Sequence, residues 1–309
     1  MRFKFYWLLK TLVFVSWICL FNIASSGLNL IWSIPEPRPQ TSTEKPAIEL
    51  DYRSLKPGEV IKVSVPQGEH LRQVELRFEK QKYRLYFDQT TQTWLGFVGL
   101  DFQLPPGQYS LEAIMVDIQG NVSKVQIPLL VQAKKFPTKK LWVEPRYVTP
   151  PPEVTERIRR ESALLRSIFS LEAHSWFGEG KFILPTQGKI NFNFGERRIY
   201  NNQPRSSHSG IDIAAVTGTP VLASNSGRIV LASELYFAGK TVIIDHGLGL
   251  YTFYAHLSQI KVKRDDKVVK GEVIGLVGAT GRVTGPHLHW SVRLKGSRVD
   301  PLSLLALSD

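Results

Sequence analysis

Five of the chain's seven histidines fall between residues 208 and 289. Four of them sit in three short stretches, and the fifth, His246 in the turn-like DHGLG, reads as structural. SSHSGIDIAA carries His208 and Asp212, which share a face with Gly210 if the segment is extended, as the alternation of Ile211 and Ile213 suggests. YTFYAHLSQI sets His256 at the end of a strand beside Tyr254. GPHLHWSVRL carries His287 and His289 at alternate positions, both on one strand face, with Leu288, Trp290 and Val292 on the other. Imidazoles and a carboxylate placed this way can close on one cation. The only cysteine, Cys19, lies in an N-terminal apolar stretch, so any metal must take His, Asp or Glu. Zinc in a catalytic site uses three protein ligands and leaves a fourth position to water, so His208, Asp212, His256, His287 and His289 exceed a ligand set by two. The surplus is what catalysis needs: a neutral imidazole can take a proton near neutral pH, and another can donate to a developing oxyanion.

The elements that must position these residues are short strands. From about residue 181 the chain reads as GTPVLAS, GRIVLAS, KTVIIDHG, LGLYTFYAHL, EVIGLVGATG and HLHWSVRL, many bounded by glycine, with no helical run long enough for a βαβ unit. The glycines of GLVGATGRVTG lack the Gly-Lys-Ser/Thr of a phosphate loop and read as turn residues. Before this domain, EVTERIRRESALLRSIFSLEA places Val154, Ile158, Leu164, Leu165, Ile168 and Leu171 near helical spacing, the pattern of one amphipathic connecting helix. Between residues 47 and 133, alternating runs such as IKVSV, QVELRF, KYRLYF and VQIPLLV are separated by turn signals, which suggests an immunoglobulin-like β-sandwich. It has no histidine cluster, and its lone His70 reads as a surface residue.

The excess of 39 basic over 27 acidic residues, +12 net, favours anionic surroundings. No zinc-finger spacing, RNP signature or basic helix is present, so nucleic acid is not an expected partner. The N-terminus, a basic MRFKFYWLLK followed by an uncharged apolar run, has the form of an export signal. No charge follows until Glu36, so residues 1–34 read as a signal peptide or a membrane anchor, and the proline-rich 35–46 as a linker. The expected fold class is mainly β: a sandwich over 47–133, a linker with an amphipathic α-helix over 134–177, and an all-antiparallel β-domain over 178–309. The pattern specifies no oligomer.

The stretch from about Gly178 to Pro301 resembles the zinc metallopeptidases of lysostaphin and LytM type, which cleave peptide cross-links of peptidoglycan. The resemblance rests on H-S-G-I-D at 208–212, A-H-L at 255–257 and H-L-H at 287–289, supported by FGERR, GTPV, DHGLGLYTFYAHLS and KGEVIGLVGATGRVTGPHLHW. It implies one zinc ion per chain held by His208, Asp212 and His289, with His256 and His287 as unligated catalytic residues, their roles as base and oxyanion donor interchangeable on this reading. It also implies an open groove and peptidoglycan stem peptides as partner; the N-terminal segment in turn suggests a place in the periplasm or cell envelope, with an inner-membrane tether if that segment is retained. The competing expectation is a non-catalytic, peptidoglycan-binding activator of another wall hydrolase; such relatives lose ligand or base histidines, and none is missing here. One departure is Asp265, where the family usually has a turn glycine. Arg197, Arg198 and Arg205, just before His208, fit either surface positions or recognition of a substrate carboxylate.

Overall fold

The computed structural model describes residues 47–67 and 71–308. The expected signal or anchor, the proline-rich linker, Cys19 and His70 lie outside the described residues. None of the described helices is long and apolar enough to cross a membrane.

Alternating apolar residues build two four-stranded antiparallel sheets between residues 49 and 131. One has the order Glu49–Asp51, Val60–Pro66, Thr93–Gly99, Tyr86–Asp88; the other runs Gln81–Arg84, Leu71–Phe78, Gly107–Asp117, Val122–Val131. Val63, Val65 and Val98 of the first and Leu76, Leu111 and Met115 of the second are fully buried in one cluster, as in a β-sandwich.

The second half is organised around a larger sheet. Its strands relevant to the site are β3 (Gly210–Ala214), β4 (Gly227–Leu235), β5 (Gly239–Asp245), β6 (Leu250–Leu257) and β7 (Leu288–Leu294), numbered after the earlier β1 (Thr138–Leu141) and β2 (Arg197–Tyr200). Their spatial order is β3-β7-β6-β5-β4, with Lys189–Asn191 beyond β3. One face buries Ile211, Ile213, Val242, Ile244, Tyr254, Leu288 and Trp290 against a three-stranded sheet of Pro220–Leu222, Val273–Leu276 and Gln259–Ile260. The other face carries the histidines. The described pairings among residues 178–308 are all antiparallel.

The connecting segment does more than span a gap. Its strand β1 pairs with β2 in parallel, Arg197 opposite Thr138, and Asn201 clamps it by accepting from the Val143 amide at 3.0 Å and donating to the Val143 carbonyl at 2.9 Å. Helix α1 (Pro152–Ser170) then lies on the histidine-bearing face, where Ile168, Leu165 and Phe169 pack with Leu231, Leu235, Ile243 and Tyr251. The expected stripe is corrected at two positions: Leu164 is 41% and Leu171 64% exposed. Leu164 is one step, about 100°, around the helix from Leu165, and Leu171 is the residue at which the backbone turns extended, so the helical period no longer governs it.

The two halves share apolar contacts. Leu250, Val292, Leu294, Val299, Leu304 and Leu307 belong to the same buried cluster as the sandwich core. Beside them Arg53 binds Glu59 and Asp300, at 2.7 Å each, with Lys134 3.7 Å from Glu59.

Candidate metal centre and groove

Strand register brings Asp212 and His289 together. They are directly opposed in the β3–β7 pairing, so their side chains project side by side on one face. His208 precedes β3, and its imidazole reaches the same point: Nε2 lies 2.8 Å from His289 Nδ1 and 3.0 Å from Asp212 Oδ1, while His289 Nδ1 lies 3.0 Å from that oxygen. His208 Nδ1 donates to the Asn193 carbonyl at 3.0 Å, because a carbonyl can only accept, which leaves Nε2 as the ring nitrogen that faces the cluster. A carboxylate oxygen and two imidazole nitrogens therefore converge, with at least two lone pairs facing one another. Such a cluster is satisfied by a cation. The 2.8–3.0 Å separations are slightly inside the edge, about 3.3 Å, of a zinc tetrahedron with bonds of about 2.0 Å, so the donor set fits that ion in chemistry and size.

The second oxygen of Asp212 is held elsewhere. Oδ2 accepts from Asn193 Nδ2 at 2.9 Å and from Arg198 Nη2 at 2.8 Å. These partners fix the carboxylate so that Oδ1 alone faces the two histidines. Burial by itself would raise the Asp212 carboxyl's pKa; His208 and His289 reverse that and hold it well below the ordinary carboxylate range. Burial also pushes His289 down to about 4, against the opposing hydrogen bond to Asp212, so the ring is neutral and available as a ligand.

His256 and His287 stand next to this cluster. Their ring centroids are 4.9 Å apart, and His256 is 6.0 Å from His289. Simple alternation would put His256 on the same face as the buried Tyr254. It does not, because the β5–β6 register shifts between Lys240 and Val242, and His256 takes a left-handed backbone with φ 64° that turns its side chain to the groove. Its Nδ1 donates to the Thr280 carbonyl at 2.8 Å, and His287 Nδ1 donates to the Gly285 carbonyl at 2.8 Å. Each ring thus keeps Nε2 as its free nitrogen, the one His287 directs to within 3.6 Å of Asp212 Oδ1. Burial, then the neighbouring His287 and His289, hold His256 well below the ordinary histidine value, so it is an unprotonated base at neutral pH.

All five residues singled out in the sequence are thus brought into one neighbourhood. Pattern reading missed Asn193 as a partner of Asp212 and left Arg198 between two accounts; the structure turns Arg198 inward onto Asp212, while Arg205 bonds the Val148 carbonyl and Arg197 is exposed. The FNFGERR stretch contains both partners, but nothing in its spacing points at a residue 19 positions after Asn193 and 14 after Arg198. The groove is lined by Lys139, Leu141 and Val143 on one side and by Leu165 and Phe169 of α1 on another; among the described residues none of the sandwich lines it.

Residues 206–301 match the family model described as Peptidase family M23. This segment is an M23 peptidase domain. Over 123 residues the chain is 41% identical to the peptidoglycan DD-endopeptidase ShyA of Vibrio cholerae, a match covering 40% of this chain and 29% of that protein. Over 97 residues it is 48% identical to the DD-carboxypeptidase/endopeptidase Mpg of Neisseria meningitidis, covering 31% of this chain and 22% of Mpg. The matches to these curated relatives thus span less than a third of their length. A Pseudomonas aeruginosa crystal structure, described as a candidate M23 peptidase, aligns with a TM-score of 0.64 at 29% identity, covering 82% of this chain and 96% of that one. That alignment extends well beyond the 96 residues of the M23 match.

Proposed function

We propose that this chain is a zinc-dependent endopeptidase that hydrolyses peptide cross-links of peptidoglycan in the cell envelope. The observation that carries the reading is the convergence of His208, Asp212 and His289 on one point with two further imidazoles, His256 and His287, beside it on an open groove. The names of the M23 relatives supply the substrate class.

His208 Nε2, Asp212 Oδ1 and His289 Nδ1 would hold the ion, which supplies Lewis-acid polarisation of a peptide carbonyl and acidifies water to a pKa near 7. The remaining work belongs to the chain. Asn193 and Arg198 keep Asp212 oriented. His256, locked as its Nδ1–H tautomer by the Thr280 carbonyl, offers Nε2 to accept the proton of the attacking water. The proton that His256 takes from the water then passes to the leaving amine, returning His256 to its starting form, while His287, held the same way by the Gly285 carbonyl, would present its Nε2 on the Asp212 side and in its doubly protonated form would donate to the oxyanion throughout. The apolar rings of Phe253 and Phe237 line the same cavity and limit the water reaching the histidines.

Digestion of purified peptidoglycan of known cross-link type, with mass identification of the fragments, tests the activity. His208→Ala or Asp212→Ala should deplete zinc, and His256→Ala or His287→Ala should abolish hydrolysis while about one zinc per chain remains. A wild-type protein that binds peptidoglycan and releases no fragments would instead support the non-catalytic reading. The basic, apolar N-terminus supports export, and sequencing the mature N-terminus in fractionated cells distinguishes a retained anchor from a cleaved signal.

A further inference from the structure

The groove between the histidines and α1 contains a cavity of about 290 Å³ whose charged lining is unusual: Arg198, Arg282 and Arg293 border it together with His208, His256 and His289, and no Asp or Glu does. Arg198 is held by Asp212. The other two arginines make no ion pair among the described residues. Arg293 projects from β7 on the same face as His289 and Ser291. Its Nη1 is buried without a hydrogen-bond partner, and its Nη2 reaches only Ser209 Oγ, at a long 3.4 Å. The nearby Asp101 is taken by Arg298, at 3.2 Å. The Phe169 ring of α1 lies 5.5 Å from the Arg293 guanidinium. Arg282 follows the Thr280 that anchors His256, and its guanidinium lies 4.7 Å from the ring centres of both Tyr200 and Phe237, with no acceptor for its donors.

A guanidinium nitrogen buried without an acceptor, as in Arg293, costs the fold free energy, and Arg293 together with the half-buried Arg282, unpaired among the described residues, beside one acid-free cavity raises its potential for anions. Burial pushes Arg293 down to about 10, which still leaves it charged at neutral pH. A planar fork with free donors matches a carboxylate bidentately. The spacing suits a peptide: from His289 to Arg293 is four strand steps, about 14 Å at 3.4 Å each. An extended substrate along β7 would thus carry its carboxylate a few residues from the bond beside His289.

We propose that Arg293 and Arg282 are specificity residues that bind carboxylate groups of an acidic substrate peptide in this cavity. The proposal rests on the endopeptidase reading above. It is tested with the zinc-loaded full chain and two matched cross-linked peptide dimers, one with free carboxylates and one with those groups converted to amides. The expected result is a wild-type kcat/KM at least tenfold higher on the acid dimer, expressed mainly in KM, and a ratio brought toward one by Arg293→Gln and by Arg282→Gln. Arg293→Lys, which keeps the charge and loses the fork, should restore the preference only in part. A wild-type ratio near one overturns the proposal, as do variants that lose activity equally on both dimers, which would mark a structural role. Should Arg293→Gln fail to fold, Arg282→Gln and Arg293→Lys carry the same reading. If the wild type cleaves neither dimer, the endopeptidase reading fails, and calorimetric binding of the intact dimers then decides the carboxylate preference: tighter binding of the acid form, lost in Arg293→Gln, sustains it, and equal binding overturns it.

Discussion

Asp212 divides its two oxygens between two tasks, one facing His208 and His289 and one received by Asn193 and Arg198. Partners of this kind around a metal ligand are worth about 10–100-fold in affinity. Arg198→Gln and Asn193→Ala should therefore each weaken zinc binding by that order in a chelator competition, while leaving the ligand atoms in place; an unchanged affinity would show that Asp212 needs no such support. The residues proposed as ligands, and their convergence, were legible because their types are rare and their spacing simple. Their supports were not, because asparagine and arginine are common surface residues and the contact to Asp212 is made by register, not by sequence distance. His246 gives a second residue-scale expectation. It is fully buried, bonded to the Ser226 carbonyl and to Thr252 Oγ1 at 2.7 Å each, and burial pushes it from 6.5 down to about 4. In the unfolded chain it protonates near 6.5, so the folded state binds fewer protons between those values and stability falls as pH is lowered through the window. From pH 7 to 5 the loss is about 2 kcal/mol. Urea unfolding should show that slope flattened in His246→Gln; parallel curves would remove His246 as its source.

Strand alternation explains β7 well and β6 poorly. On β7 the period of two holds without interruption, with Leu288, Trp290, Val292 and Leu294 buried on one side and His289, Ser291 and Arg293 on the other. On β6 a bulge reverses the face of His256, and bulges leave little trace in a single sequence. Helix α1 was legible as a helix and partly misread in its buried stripe, since adjacent Leu164 and Leu165 compete for one face and only packing decides. The bulge depends on a close approach opposite it. Gly239 has φ 64°, and a Cβ there would come within 2.5 Å of the Thr280 carbonyl oxygen that receives His256 Nδ1–H. Gly239→Ala should cost about 1–2 kcal/mol of stability and shift Thr280, lowering hydrolysis several-fold while zinc stays bound. Full activity at wild-type metal content would sever the link between this turn and His256.

The alternating runs pointed to two β units; what no periodicity could reveal is how they join. Glu59 is 2% exposed and its charge is balanced by Arg53 and Lys134. Arg53→Ala leaves Glu59 and Asp300 with Lys134 alone, and should destabilise the chain by about 1–3 kcal/mol, less than a fully buried pair because Arg53 is itself partly exposed. The shared cluster further implies that sandwich and peptidase domain melt in one calorimetric transition; two resolved transitions would show that the contact is weak. Strand β7 lies at the centre of that contact. Val292 and Leu294 seat in the sandwich core, and the same seven residues hold His289 and Arg293 on the reverse side. The strand is thus a single stiff rod with one end of its apolar face in each half of the molecule. A displacement of the sandwich against the peptidase domain would reach His289, the proposed ligand, through the three peptide units that separate it from Val292.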